Sequence, residues 1–210
     1  MPFLRIDPRS FAIAALAPAI DWLKQGGVVA FPTDTFYGLA VDPGSAAAVR
    51  ALFALKGRRN DQAIPLIAGS RAQVDDICGP LEPAAAALAA RFWPGPLSIL
   101  FDAPAAIDAA VHAGTRSVAI RVPEHPIARG LALAWGGMLT ATSANLSGEP
   151  PVTSAAALAP IERRCALLII DAGATPGGEA STIVDVRPSR ARLVRAGAIA
   201  WERVLESLQA

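Results

Sequence analysis

Short runs rich in Val, Ile and Leu recur along this chain, and the stretches between them carry helical periodicity. The runs expected to form strands are 27–32 (GVVAFP), 64–69 (IPLIAG), 96–101 (PLSILF), 117–123 (SVAIRVP), 138–144 (MLTATSA), 166–171 (ALLIID), 181–186 (STIVDV) and 191–197 (ARLVRAG). Helices are expected at 18–25, 45–56, 70–77, 83–92, 126–135, 153–159 and 199–208, with Ser45 capping the second and Gly57 stopping it. Strands that alternate with helices require a sheet covered on at least one face, and the adjacent strands near the C-terminus add antiparallel pairs. The expected architecture is therefore α/β, with one twisted mixed sheet flanked by helices. No Pro/Gly/Ser-rich linker and no repeat divides residues 1–210, so a single domain is expected.

Composition excludes several classes of function. The chain is 53% hydrophobic, enough for a packed core although much of that content is alanine. A net charge of +1 gives no global attraction to nucleic acid or anionic membrane, so any cationic site must be local. Cys78 and Cys165 lack metal-ligand spacing and sit in a chain long enough not to need a staple; two reduced thiols and a cytoplasmic setting are expected. Arg5 and Arg9 ahead of FAIAALAPAI imitate the start of an export signal. Asp7 and Pro8 interrupt it, Pro18 ends the apolar run, and the chain continues as an amphipathic helix closed by Gly26. No apolar run approaches the ~20 residues that span a bilayer, so no membrane association is expected.

Familiar catalytic signatures are missing. There is no G-x-x-x-x-G-K-[ST] loop, no G-x-G-x-x-G after a strand and no G-x-S-x-G elbow. His112 and His125 are the two histidines; with no ligand partner at suitable spacing they read as surface or loop imidazoles, and no protein-held metal is expected.

Five polar clusters remain. In FPTDTFYGLAVDPGS (31–45) the hydroxyl-rich residues exceed what a reversal of the chain requires, and Asp42–Ser45 offers a compact turn of its own. The stretch reads as a floor for a polar ligand. In ALFALKGRRNDQ a helix ends at Lys56 and Gly57, and Lys56 is one of two lysines among nineteen cationic residues, a compact point charge suited to phosphate. The same residues also complement the helix dipole with no ligand at all. Alternation along SVAIRVP projects Arg121 from a strand end, where a rigidly held guanidinium matches a carboxylate. LTATSANLSGEPP opens an apolar strand into Thr142, Ser143, Asn145 and Ser147. GGEASTIVDV and the VRAG that follows place Ser181, Thr182 and Arg195 at neighbouring strand ends.

Taken in order, FPTDTFYGLAVD, KGR, PGPLSILF, SVAIRVPEHP, TSANLSGEPP, GGEASTIVDV and RAG resemble the YrdC family, which makes threonylcarbamoyl-AMP, over about Gly26 to Gly197. The resemblance implies a concave cationic site in which L-threonine, bicarbonate and ATP give L-threonylcarbamoyladenylate and pyrophosphate. It places Thr35, Arg121, the Ala141 backbone and Ser181 at threonine. Lys56, Arg58, Gln62, Ser117, Ser143, Asn145 and Arg195 fall at the nucleotide, with Lys56 and Arg58 facing its phosphates as the catalytic pair. Mg²⁺ is expected to accompany ATP, and a downstream enzyme to transfer the product to tRNA. Arg59 replaces a common Pro, Ala63-Ile64 replaces Pro-Leu, and Pro151 stands where some members offer ATP a hydroxyl. The resemblance is to the single-domain form, without the extra C-terminal domain of longer members. Two alternatives stand beside it: a paralogous enzyme using another amine or carbamoyl donor, and a module that binds tRNA or other RNA without turnover. Seven Phe, one Tyr and four Trp, scattered along the chain and not set as a stacking platform, weigh against RNA.

Overall fold

The computed structural model describes residues 3–57, 62–162, 165–187 and 190–209. Its strands are Phe3–Arg5 (β1), Val28–Pro32 (β2), Tyr37–Ala40 (β3), Leu66–Ile67 (β4), Leu97–Asp102 (β5), Ser117–Arg121 (β6), Leu139–Thr140 (β7), Thr142–Ser143 (β8), Leu167–Asp171 (β9), Thr182–Asp185 (β10) and Arg192–Arg195 (β11). The α-helices are Ala17–Lys24 (α1), Ala46–Lys56 (α2), Arg71–Cys78 (α3), Pro83–Phe92 (α4), Pro126–Trp135 (α5), Ala159–Glu162 (α6) and Trp201–Gln209 (α7). Ser45 and Ser70 accept the Ala48 and Gln73 amides at the starts of α2 and α3, and Gly57 ends α2 at φ 61°, a left-handed conformation that costs glycine little.

The mixed pairing expected from the sequence is present, but it is divided between two sheets. One runs β1-β9-β2-β3-β8 and the other β11-β10-β5-β6-β4-β7. The run 138–144, read as one strand, is broken at Ala141, whose N–H donates to Pro65 O at 2.8 Å in register with the β4–β7 pairs. Its first half pairs β4 in the second sheet and its second half pairs β3 in the first. Ala141 is thus the point where the chain passes between sheets. The region 153–159 is a 3-10 turn at Ala155–Leu158 running into the short α6, not one helix. The strand pairing of Phe3–Arg5 with β9 had no signal in the apolar pattern.

Alternation along the first sheet sorts its side chains between two cores. Val28, Ala30, Leu167 and Ile169 pack with Val49, Leu52 and Phe53 of α2 and with Val118 and Ile120 of the second sheet. Val29, Phe31, Leu168 and Ile170 pack on the other side against α1 and α5. A third cluster joins Leu97, Ile99 and Val184 to α4 and α7. Because both faces are covered, these strands read as continuous apolar runs, and truncating any such Leu or Ile costs about 2–5 kcal/mol. Cys78 and Cys165 are both unpaired thiols. Among the described residues no helix is long and apolar enough to cross a membrane.

Candidate functional site

The hydroxyl-rich stretch after β2 is itself the turn of a hairpin. Phe31 pairs Gly38 and Pro32 pairs Tyr37, so residues 33–36 connect the strands, and the Asp42–Ser45 turn leads instead into α2. Thr33 organises the reversal: its N–H and Oγ1 both donate to Phe36 O, and its Oγ1 accepts the Thr35 N–H at 3.2 Å. Gly177 N–H donates to Thr35 O at 2.7 Å and fixes the turn to the loop before β10. Tyr37, fully buried, donates from its hydroxyl to Gly173 O at 2.7 Å; burial raises its pKa to about 12, so it stays a donor.

Thr33 and Thr35 open onto a cleft of ≈ 260 Å³ that Arg121, Ala141, Ser143, Ser181 and Arg195 also line. Arg121 ends β6, and its buried guanidinium already has a partner. Its Nη1 donates to Asp34 Oδ2 at 3.2 Å and lies 3.0 Å from Oδ1, which receives no aligned hydrogen bond. Burial lowers the Arg121 pKa and the Asp34 carboxylate opposes that shift. Asp34 was not singled out in the sequence; its signal was its place between two threonines in the same motif. At Ala141 the N–H is committed to Pro65 O, so the backbone group left to face a ligand is the carbonyl.

In the same sheet as Arg121, Arg195 grips the start of β10. Its Nε and Nη2 donate to Ser181 O at 3.1 and 2.6 Å, and Nη2 also donates to Ser181 Oγ at 2.9 Å. The Ser181 and Ser98 hydroxyls lie 3.0 Å apart. Gly197 lets this wall close, because a Cβ there would stand 2.1 Å from Ala180 O. Pro151, which has no hydroxyl to offer, also lines the cleft.

Ser143 is shared with a second cleft of ≈ 360 Å³, lined by Lys56, Gly57, Gln62, Asn145, Ser147 and Gly148. Lys56 is not a mobile point charge. It is 4% exposed, and Nζ donates to Ser143 O, to Asn145 O at 2.8 Å and to Asn145 Oδ1 at 3.2 Å. Ser147 N–H returns a bond to Lys56 O at 2.9 Å, and Asn145 Nδ2 donates to Glu149 O. The ammonium therefore clasps the 143–149 loop as well as facing the cleft, and the lysine carries structural weight that its helix-end position did not announce.

Thr35, Arg121, Ala141, Ser181 and Arg195 thus meet in the inner cleft, Lys56, Gln62 and Asn145 in the outer one, and Ser143 in both. Arg58 lies outside the described residues. Ser117 lines neither cleft; its hydroxyl bonds Thr115 Oγ1 at the far end of β6. His125 caps α5 by accepting the Ile127 N–H at 3.2 Å, and burial lowers its pKa against the pull of Asp34. Among the described residues no group of three His, Cys, Asp or Glu side chains forms a cage for a metal ion.

Comparison with known proteins identifies the family. The threonylcarbamoyl-AMP synthase of Bacillus subtilis is 37% identical over 191 residues, 90% of this chain and 55% of the relative. That of Pyrococcus abyssi is 34% identical over 200 residues, 95% of this chain and 57% of the relative. The chain spans about half the length of these curated relatives. The crystal structure of P. abyssi Sua5 complexed with L-threonine superposes with a TM-score of 0.88 at 31% identity, covering 98% of this chain and 60% of the other. The model of the Sua5/YciO/YrdC family, described as telomere recombination, matches residues 21–197. A match that takes in the hairpin turn, both clefts and the glycine that closes the inner wall leaves one conclusion: the chain belongs to the Sua5/YciO/YrdC family.

Proposed function

We propose that this protein is an L-threonylcarbamoyladenylate synthase, joining L-threonine, bicarbonate and ATP and releasing pyrophosphate. One observation carries the reading: hydroxyls and a buried guanidinium line an inner cleft that shares Ser143 with an outer cleft walled by a lysine and amides. An amino acid and a triphosphate are two ligands of those characters.

Arg121 receives the threonine carboxylate with the donors it does not spend on Asp34, and Thr35 and Ser181 face the amino-acid hydroxyl. The Ala141 carbonyl lies beside them. Lys56, Gln62, Ser143 and Asn145 take the nucleotide in the outer cleft and Arg195 meets it from the inner one, Lys56 and Arg195 offsetting its charge. The threonine nitrogen, as the free amine, bonds to the carbon of CO₂ or a bicarbonate-derived equivalent and loses a proton. A carbamate oxygen then attacks the α-phosphorus, whose bond to the bridging oxygen breaks to release pyrophosphate. Such a transfer needs positioning and charge stabilisation and no protein nucleophile. Mg²⁺ enters as part of the MgATP substrate, coordinated mainly by phosphate and water. The product, a mixed anhydride, is suited to a transferase that carries the threonylcarbamoyl group to tRNA.

The test is mass detection of the adenylate. Its formation should require threonine, bicarbonate and ATP together; a protein that binds threonine yet makes no adenylate with all three present sinks the synthase reading.

A further inference from the structure

Ser98 sits in β5 with no solvent exposure, away from the ligand-facing surface, and its hydroxyl touches that surface only through Ser181. The hydrogen-bond inventory at this pair settles a direction that the distances alone leave open. A guanidinium has donors and no acceptor, so the contact from Arg195 Nη2 uses one lone pair of Ser181 Oγ. Among the described residues Ser181 Oγ is the hydrogen-bond partner of Ser98 Oγ. If Ser181 donated to Ser98, the Ser98 proton would be buried without an acceptor, a costly arrangement in a fully enclosed strand. If Ser98 donates instead, both hydroxyls are satisfied. Ser181 Oγ then accepts from Arg195 and Ser98 together, and its own proton has one place left to go, the inner cleft that Ser181 lines.

We infer that Ser98 is a positioning residue that fixes Ser181 as a hydrogen-bond donor into the inner cleft, so that the ligand must set an acceptor oxygen, not a protonated amine, against it. The inference rests on the amino-acid reading of that cleft. With the carboxylate at Arg121, the oxygen in question is the substrate's β-hydroxyl oxygen. The α-nitrogen is thereby turned away from the Ser181–Arg195 wall.

Calorimetric titration with three amino acids tests this: L-threonine, 2-aminobutyrate, which lacks the β-oxygen, and 2,3-diaminobutyrate, which replaces it with an amine. Wild-type protein should bind threonine tightest and the diamine weakest. In Ser98→Ala one lone pair of Ser181 Oγ loses its donor and the hydroxyl is no longer held in one orientation, so threonine should weaken about 3- to 10-fold, the scale of one neutral hydrogen bond, and the preference for threonine over the diamine should shrink by a similar factor. Binding of 2-aminobutyrate should move less than twofold, and Ser98→Thr should restore the wild-type ratios. Ser98→Cys, whose thiol is a weak donor, should give intermediate ratios and serves if the alanine variant does not fold. Equal losses for threonine and 2-aminobutyrate would reveal a merely structural serine, and an unchanged threonine-to-diamine ratio would overturn the inference while leaving the substrate reading intact. Failure of the wild type to bind threonine would sink the substrate reading and this inference with it.

Discussion

The two clefts that meet at Ser143 are built by opposite means. In the inner cleft, polar groups project from strand ends and are braced from behind by buried partners: Asp34 behind Arg121, Ser98 behind Ser181, and Gly197 behind the wall that holds both Ser181 and Arg195. In the outer cleft a loop forms the surface, and a single buried ammonium at the end of α2 gathers its carbonyls. The inner cleft is suited to reading the shape and polarity of a small ligand, because its donors and acceptors cannot turn to suit a wrong one. The outer cleft has the charge and adaptable amides that a polyphosphate requires. The contrast also shows that the cations are already engaged by protein oxygens before any ligand arrives, so ligand anions share or displace those bonds instead of meeting bare charges.

The largest expected effect lies in the outer cleft. Lys56→Ala should lower adenylate formation by about 100-fold or more, the scale for loss of one preorganised donor from developing phosphoryl charge. It should also lower stability by about 2 kcal/mol, because two carbonyls of the 143–145 segment lose a charged donor. Pyrophosphate release and denaturant unfolding measure the two effects. Intact stability with lost activity would break the comparison by showing that the clasp is dispensable and the charge alone matters.

A smaller effect should appear in the inner cleft. Arg121→Lys keeps the charge but loses the planar fork, so threonine affinity should fall about 10- to 100-fold while ATP affinity changes little. Titration of each ligand separately is the measurement. Equal losses for the two would erase the division of labour between the clefts.

The smallest effect sharpens the comparison within the inner cleft. Thr35→Val should reduce the preference for threonine over 2-aminobutyrate by about 3- to 10-fold, since the analogue no longer strands a protein hydroxyl. Competition in the pyrophosphate assay reads that ratio directly. An unchanged ratio would assign Thr35 to the amino-acid backbone.

Much of this arrangement was legible in local chemistry. Ser45 and Gly57 bound α2 because a cap and a left-handed glycine act on neighbouring backbone groups, and the Val, Ile and Leu runs marked strands because a doubly covered sheet needs them. The ordered motifs brought Thr35, Lys56, Arg121, Ser143, Ser181 and Arg195 forward as site residues. What the sequence could not carry was the identity of partners distant along the chain. Periodicity assigns a side chain to a face, not to a neighbour, so nothing in MLTATSA revealed that Ala141 would spend its N–H on Pro65 and pass the chain from one sheet to the other. The Asp34–Arg121 pair joins residues 87 positions apart, and the Ser98–Ser181 pair joins residues 83 apart. The sequence by itself determined which residues were polar at strand ends. Only the tertiary structure decided which of them face a ligand and which stand behind as braces, because that choice depends on how two sheets pack and on which buried groups must satisfy one another there.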